Sequence, residues 1–546
     1  MLKSARLLAV LVLGLVGSLP VAPTTLSQQP PEPRRGGVLR SAELGGAPRL
    51  LHPYPEPQQY TSPWVQAASL MWAGLIDLDY DTLDYVADPR TSMATELPTI
   101  SNDGRTFTFT LRQDIRWSDS RPITSADFQF AWENARVVEN NWVGYDSTID
   151  RIESFSTPDP RTVEVTLKEQ LARFLALGIA SGIGPVPRHV WEGKPWLDPQ
   201  ANPEVLRPSV VSGPYLPREL SVERHSYTRN PNWWGKPPNL DEIVFVAASP
   251  TTTLELLRTR QVEWAHNFPP AQFEDARRIP HANLLEWTSA AGTYRVMEFN
   301  LARPLLADKR FREALARAAN RADLVQLEDD LAVPQFGIYT QNSRWRNDNV
   351  ERYDFDLPRA RRVLQEAGFT LDAGRLRDRG GQPVRLEILW PTTSQPRGKI
   401  ATYLQQQWRD LGIETTVNGL EFNTFVDKHQ RQKDFDVVMG TWGSALDPDS
   451  ARSIFTTGGT QNSTGYSNPR IDQLFEGGAR EQDDTRRKEI YDEIQKILQD
   501  DLAMYPMITL KSFTAVDRRV AGIFARKGDD LLTDNNAQFL DWFIAE

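Results

Sequence analysis

Side chains able to do covalent or metal chemistry are few and scattered along this 546-residue chain. Its six histidines, His52, His189, His225, His266, His281 and His429, stand singly, and a lone histidine is more often structural or exposed than a ligand. There is no nucleophile elbow, no glycine-rich phosphate loop and no HExxH. Without cysteine the chain has no thiolate nucleophile, thiolate metal site or disulfide. A triad gathered from distant segments stays open, because its members need not be close in sequence. Hydrolysis is therefore the minor alternative, and no catalytic residue, metal or cofactor is expected.

The stronger signal is aromatic. Sixteen tryptophans are a high count, and an aromatic side chain at a cleft edge offers a large contact area with little rotamer freedom to lose. Core packing is the ordinary use of any one of them. Trp442 is the exception, because it stands where the buried strand of residues 435–441 runs out, in Thr441-Trp442-Gly443-Ser444-Ala445-Leu446-Asp447-Pro448.

The elements that must position such a residue are legible in several places. In residues 101–135, SNDGRTFTFTLRQDIRWSDSRPITSADFQFAWENA, Phe107, Phe109 and Leu111 alternate with Thr106, Thr108, Thr110 and Arg112, the period of a half-buried strand. Thr124 and Asp127 then form a capping box, after which Phe128, Ala131, Trp132 and Ala135 recur at helical spacing. Asp308 caps a helix over 308–320, Asp356-Leu357-Pro358 opens another that Gly368 stops, and a long one is predicted over 485–502. Strands are predicted over 162–168, 243–246, 294–301, 385–390 and 505–510.

The segment DGRTFTFTLRQDIRWSDSRPITSADF resembles the signature of the family 5 extracellular solute-binding proteins, roughly DG-x-TYTFTLR-x-G-x-x-W-x-DG-x-PVTA-x-DV. Further matches in the family's order are Gly36-Gly37, Ser212-Gly213-Pro214-Tyr215, Arg229 to Gly235, 308–320, 441–448 and NSTGYSNP at 462–469. One departure is Ser120 in place of the family's Gly, at a turn that suits positive φ.

The resemblance implies an α/β, two-lobed periplasmic binding protein-like fold of class II, the three-domain peptide-binding type with mixed sheets. It implies a discontinuous domain I (38–50, 158–265 and 506–546), an inserted domain II (51–157) and domain III (266–505) as the second lobe. It also implies a receptor of an ABC importer, binding a peptide-like or other small polar solute between the lobes and presenting it to a membrane permease and ATPase. Trp442 falls in the family's cleft segment. Asp447 is either a ligand residue or the turn residue of the DP pair. Arg397 lies near an arginine that takes the ligand carboxylate in dipeptide-binding members, and is equally readable as an exposed residue at a helix start.

Tyr294 and Asn300, by strand position, and Trp345 and Tyr466, by loop position, are further cleft candidates. Peptide-specific members resemble one another in an Asp just after the Trp, which binds the peptide's α-ammonium group. Here Ser444 and Ala445 stand instead in a segment one residue shorter, and an ammonium buried without a carboxylate is costly. Oligosaccharides, a metal chelate, and a sensory or chaperone role in place of import remain alternatives.

Length predicts two or three domains, and 40% hydrophobic with 25% charged residues is ordinary for a globular protein. A net charge of −10 argues against nucleic acid as partner. Residues 1–27 read as a signal peptide, with Lys3 and Arg6 before the apolar run 7–16, and 28–37 as a Pro-, Arg- and Gly-rich linker. An uncleaved N-terminal anchor is the alternative. With no cysteine to lipidate, the mature chain is expected to be a soluble periplasmic or secreted monomer.

Overall fold

The computed structural model describes residues 33–44, 47–79, 81–266, 268–523 and 536–545. The expected signal peptide, and the linker up to Glu32, lie outside the described residues. Three sheets carry the architecture, and each is built from strands whose apolar faces the sequence marks. The largest has seven strands in the order Ala282–Trp287, Ser512–Asp517, Trp264–His266, Val38–Leu44, Glu242–Ala248, Arg224–Arg229 and Tyr215–Leu220, both parallel and antiparallel. A six-stranded mixed sheet runs Ala332–Pro334, Met504–Leu510, Thr293–Phe299, Val437–Gly443, Arg385–Pro391 and Glu414–Leu420. Met504–Leu510, an interior strand of this sheet, is buried along nearly its whole length, as a strand covered on both faces must be.

The third sheet has four strands, Thr99–Ile100, Thr106–Thr110, Thr162–Leu167 and Ile152–Ser156. Phe107 and Phe109 point into its core as their alternation requires. The capping box forms, with the Thr124 N–H donating to Asp127 Oδ2 at 2.9 Å. Ser120 adopts φ 73°, the left-handed conformation expected at its turn.

The domain division differs from the expected one. Thr162–Leu167 was expected in domain I, yet it pairs with Thr106–Thr110 at Phe107↔Val165. Leu171, Leu177, Trp191 and Val205 join the same core, so the inserted domain continues past 157 almost to Tyr215. Ala282–Trp287 was expected in domain III but is an edge strand of the seven-stranded sheet. Met504–Leu510, placed across the 505/506 boundary, lies whole in the six-stranded sheet. Strand partners set these boundaries, and partners distant in sequence leave no trace in local periodicity.

The two large sheets are joined where the chain crosses between them, at residues 288–292 and at Lys511. On one side Trp287 pairs with Ser512, on the other Tyr294 with Thr509, so the crossings are neighbouring strands of one antiparallel ribbon. Thr340 Oγ1 lies 2.8 Å from the carbonyls of both Ser289 and Ala290, and the Lys511 N–H donates to Leu331 O.

Far from this ribbon in sequence, the inserted domain touches the second lobe. The Ala172 N–H donates to Ala479 O at 2.7 Å, Gln482 Nε2 to Leu171 O at 2.7 Å, and Arg480 pairs with Glu169 at 3.4 Å. Beside this seam is a cavity of about 430 Å³ with Leu171, Leu175 and Ile179 on one wall and Asp447, Arg452 and Ala479 on the other.

Candidate functional site

In the six-stranded sheet, Arg385–Pro391 is paired along all its length with Glu414–Leu420 but touches Val437–Gly443 only at Ile388↔Val437 and Leu389↔Val438. Beyond those pairs the two parallel strands separate. The chain leaves Arg385–Pro391 through helix Gln395–Arg409 toward Glu414–Leu420 on one side, while Val437–Gly443 lies on the other. Such a reversal opens a crevice at the carboxyl ends of parallel strands, the usual place for a ligand in an open α/β sheet. Trp442 and Arg397 are both at this end. The Ser444 N–H donates to Gly292 O at 2.8 Å, which sets the segment against the crossing at 288–292.

Arg397 sits in the first turn of its helix, half-buried. Its Nη1 reaches Met439 O only at 3.4 Å, and its Nε is buried without a partner. Among the described residues it has no carboxylate within ion-pair distance. Burial, and then the neighbouring Arg295 cation, push its pKa down to about 10. Arg295 is differently placed: Glu328 takes its Nε at 2.7 Å and Thr441 Oγ1 its Nη1 at 2.7 Å. One guanidinium is thus neutralised and the other has donors to offer.

Trp442 is half-buried at the end of its strand, and its Nε1 donates to Glu298 Oε1 at 3.0 Å. Sequence reasoning missed Glu298, yet a signal existed. Tyr294, Val296 and Glu298 share one strand face, so a carboxylate among inward-facing residues marks a polar cluster. His429 Nε2 and Ser463 Oγ bond the other carboxylate oxygen at 2.9 and 2.8 Å.

Of the remaining candidates, Asp447 lines the cavity beside the seam, and Tyr294, Asn300, Trp345 and Tyr466 are buried in the body of the lobe. Asp447 takes both Arg487 guanidinium nitrogens, at 2.8 and 2.9 Å, and caps the next turn through the Asp449 N–H. Arg487 is almost wholly buried and stacks over Trp345 and Tyr491. Trp345 is buried and donates to Leu446 O at 2.8 Å. Tyr294 is buried in the same core. Asn300 Nδ2 donates to Lys433 O and Phe435 O, and Tyr466 donates to Asp501 Oδ2 at 2.6 Å. These four residues hold segments of the second lobe together instead of facing a cleft.

The described histidine side chains, at 52, 189, 225, 281 and 429, each have a partner of their own. His52, wholly buried between Trp191 and Trp196, has its pKa pushed down to about 3 by burial, and His189 meets Asp119 at 2.8 Å. Among the described residues no group of three His, Cys, Asp or Glu is arranged to hold a metal ion. No described helix is long and apolar enough to cross a membrane.

Comparison with known proteins places this geometry. Residues 88–463 match the family described as "Bacterial extracellular solute-binding proteins, family 5 Middle". The chain is similar to Protein XP55 of Streptomyces lividans, 30% identical over 443 residues covering 79% of this chain and 77% of that protein. It is 26% identical to the periplasmic oligopeptide-binding protein OppA of Salmonella typhimurium over 441 residues, 74% of this chain and 77% of the relative. The fold superimposes on the crystal structure of the ABC transporter substrate binding protein CtaP from Listeria monocytogenes with a TM-score of 0.78 at 23% identity, covering 94% of this chain and 100% of the other.

Proposed function

The chain belongs to the family 5 bacterial extracellular solute-binding proteins, a family of receptors and not enzymes, and on that premise we propose that it captures a peptide-like solute and hands it to an ABC permease and ATPase. The observation that carries this reading is the half-buried Arg397, without a carboxylate partner among the described residues, at the same end of the parallel strands as Trp442. A guanidinium in such a place suits a solute carboxylate, and an indole suits the apolar body next to it. Closure of the lobes over the solute needs contacts that exist only in the closed form, and the ribbon at 288–292 and Lys511 is where the bend falls. The protein works outside the cytoplasm, as a monomer.

A second reading is favoured by Ser444 and Ala445, where peptide-specific relatives carry an ammonium-binding Asp. Asp447 offers no replacement, since Arg487 occupies its carboxylate. The solute then carries an anionic group and no free α-ammonium. Two measurements test these readings. Trp442→Ala is expected to lower affinity for the solute that co-purifies with the protein, identified by mass spectrometry, by at least tenfold while the protein stays folded. Calorimetry with tri-alanine and N-acetyl-tri-alanine separates the readings, because tighter binding of the free amine form excludes the second.

A further inference from the structure

We infer that Glu298 is the positioning residue of this site, the group that fixes the orientation in which Trp442 meets a solute. The inference rests on the reading that Trp442 lines the binding crevice. Glu298 lies on Thr293–Phe299, the strand next to Val437–Gly443, and is 1% exposed. A carboxylate so deeply buried is tolerated only when its oxygens are hydrogen-bonded. Here one oxygen takes the Trp442 indole N–H, and the other takes His429 Nε2 and Ser463 Oγ.

The three donors come from separate parts of the lobe: the end of a strand, the turn of helix at Asp427–Arg431, and the loop after Asn462. Packing a core does not require this, since well-packed apolar residues of similar volume would serve at least as well. What the arrangement adds is direction. Two anchored donors hold the carboxylate, and the carboxylate holds the half-exposed indole.

The neighbouring backbone is cut to fit. Gly440 has an ordinary strand conformation, so no left-handed φ demands a glycine there. A Cβ on it would stand 2.2 Å from Glu298 Oε1 and 3.0 Å from Val296 Cγ1. Any side chain at 440 would displace the oxygen that Trp442 uses. Glycine at 440, the acid at 298 and the indole at 442 therefore form one fitted unit, and a binding surface fixed before the solute arrives loses less freedom on binding.

The test uses the full chain labelled with 5-fluorotryptophan, with the Trp442 resonance identified by its loss in Trp442→Phe. In the solute-free protein, Glu298→Ala and Gly440→Ala are expected to shift or broaden that resonance and to speed exchange of its indole N–H at least tenfold. Glu298→Gln, which keeps an acceptor oxygen, is expected to restore both. Should Glu298→Ala fail to fold, Gly440→Ala carries the test alone, because it leaves the acid in place and presses chiefly on its oxygen. An unaltered Trp442 resonance and exchange rate in a folded Glu298→Ala or Gly440→Ala protein overturns the inference. Unchanged solute affinity in Trp442→Ala would instead overturn the functional reading, and leaves the resonance result to decide Glu298.

Discussion

Two neighbouring stretches of the second lobe use charge in opposite ways. Around Asp447 the charges are matched: the carboxylate grips Arg487 through two hydrogen bonds, and the guanidinium packs on the edge-to-face pair of Trp345 and Tyr491. Around Trp442 the matching is incomplete, for Arg295 has Glu328 while Arg397, over the Phe425 ring and at a long distance from the Met439 carbonyl, has no carboxylate partner among the described residues. On the proposed reading the first stretch is complete by itself and the second has donors left for a solute. A sequence motif that spans both therefore marks a neighbourhood, and only the pairing of each group tells which residues build the lobe and which are left to bind.

The sharpest way to break this contrast is to remove Asp447. Asp447→Ala leaves the Arg487 guanidinium buried and unpaired, and is expected to destabilise the protein by about 3–5 kcal/mol in urea unfolding. A loss of solute affinity with no loss of stability would move Asp447 to the binding side. Arg397→Ala is the mirror experiment. Its stability should change by less than about 1 kcal/mol, while affinity for a carboxylate-bearing solute falls by about 2 kcal/mol in calorimetry.

A third acid sharpens the comparison because it has neither arginine nor solute. Glu43, at the end of Val38–Leu44, is buried with Oε2 unpartnered, and burial pushes its pKa from 4.5 up to about 8. The folded state thus holds a proton that the unfolded chain has released between those values. Its contribution to stability is whole below about pH 4.5 and is lost as pH rises toward about 8. Glu43→Gln should remove a slope of at most about 1.4 kcal/mol per pH unit across that window, read from melting curves at several pH values. An unchanged slope would mean that Glu43 is not the proton binder.

Local features of the fold were legible in the sequence because one stretch of chain determines them. The alternation of Phe107 and Phe109, the caps at Asp308 and Asp356, and the left-handed turn at Ser120 all depend on residues a few positions apart. The resemblance supplied the order of the lobes. What stayed hidden were the partners: that Thr162–Leu167 pairs with Thr106–Thr110, that Ala282–Trp287 edges the first sheet, and that Asn300 is consumed by the carbonyls of Lys433 and Phe435. Trp345 and Tyr466 looked available in loops. Their bonds to Leu446 and Asp501 join positions 101 and 35 residues away, beyond the reach of any local pattern.

The paired crossings at 288–292 and Lys511 have a mechanical consequence. Two covalent links lying side by side act as a strap, compliant to folding across its width and stiff to shear along its length. Under the proposed closure, such a strap would keep the halves aligned. A protease that severed one link would leave the molecule in one piece, held by the other.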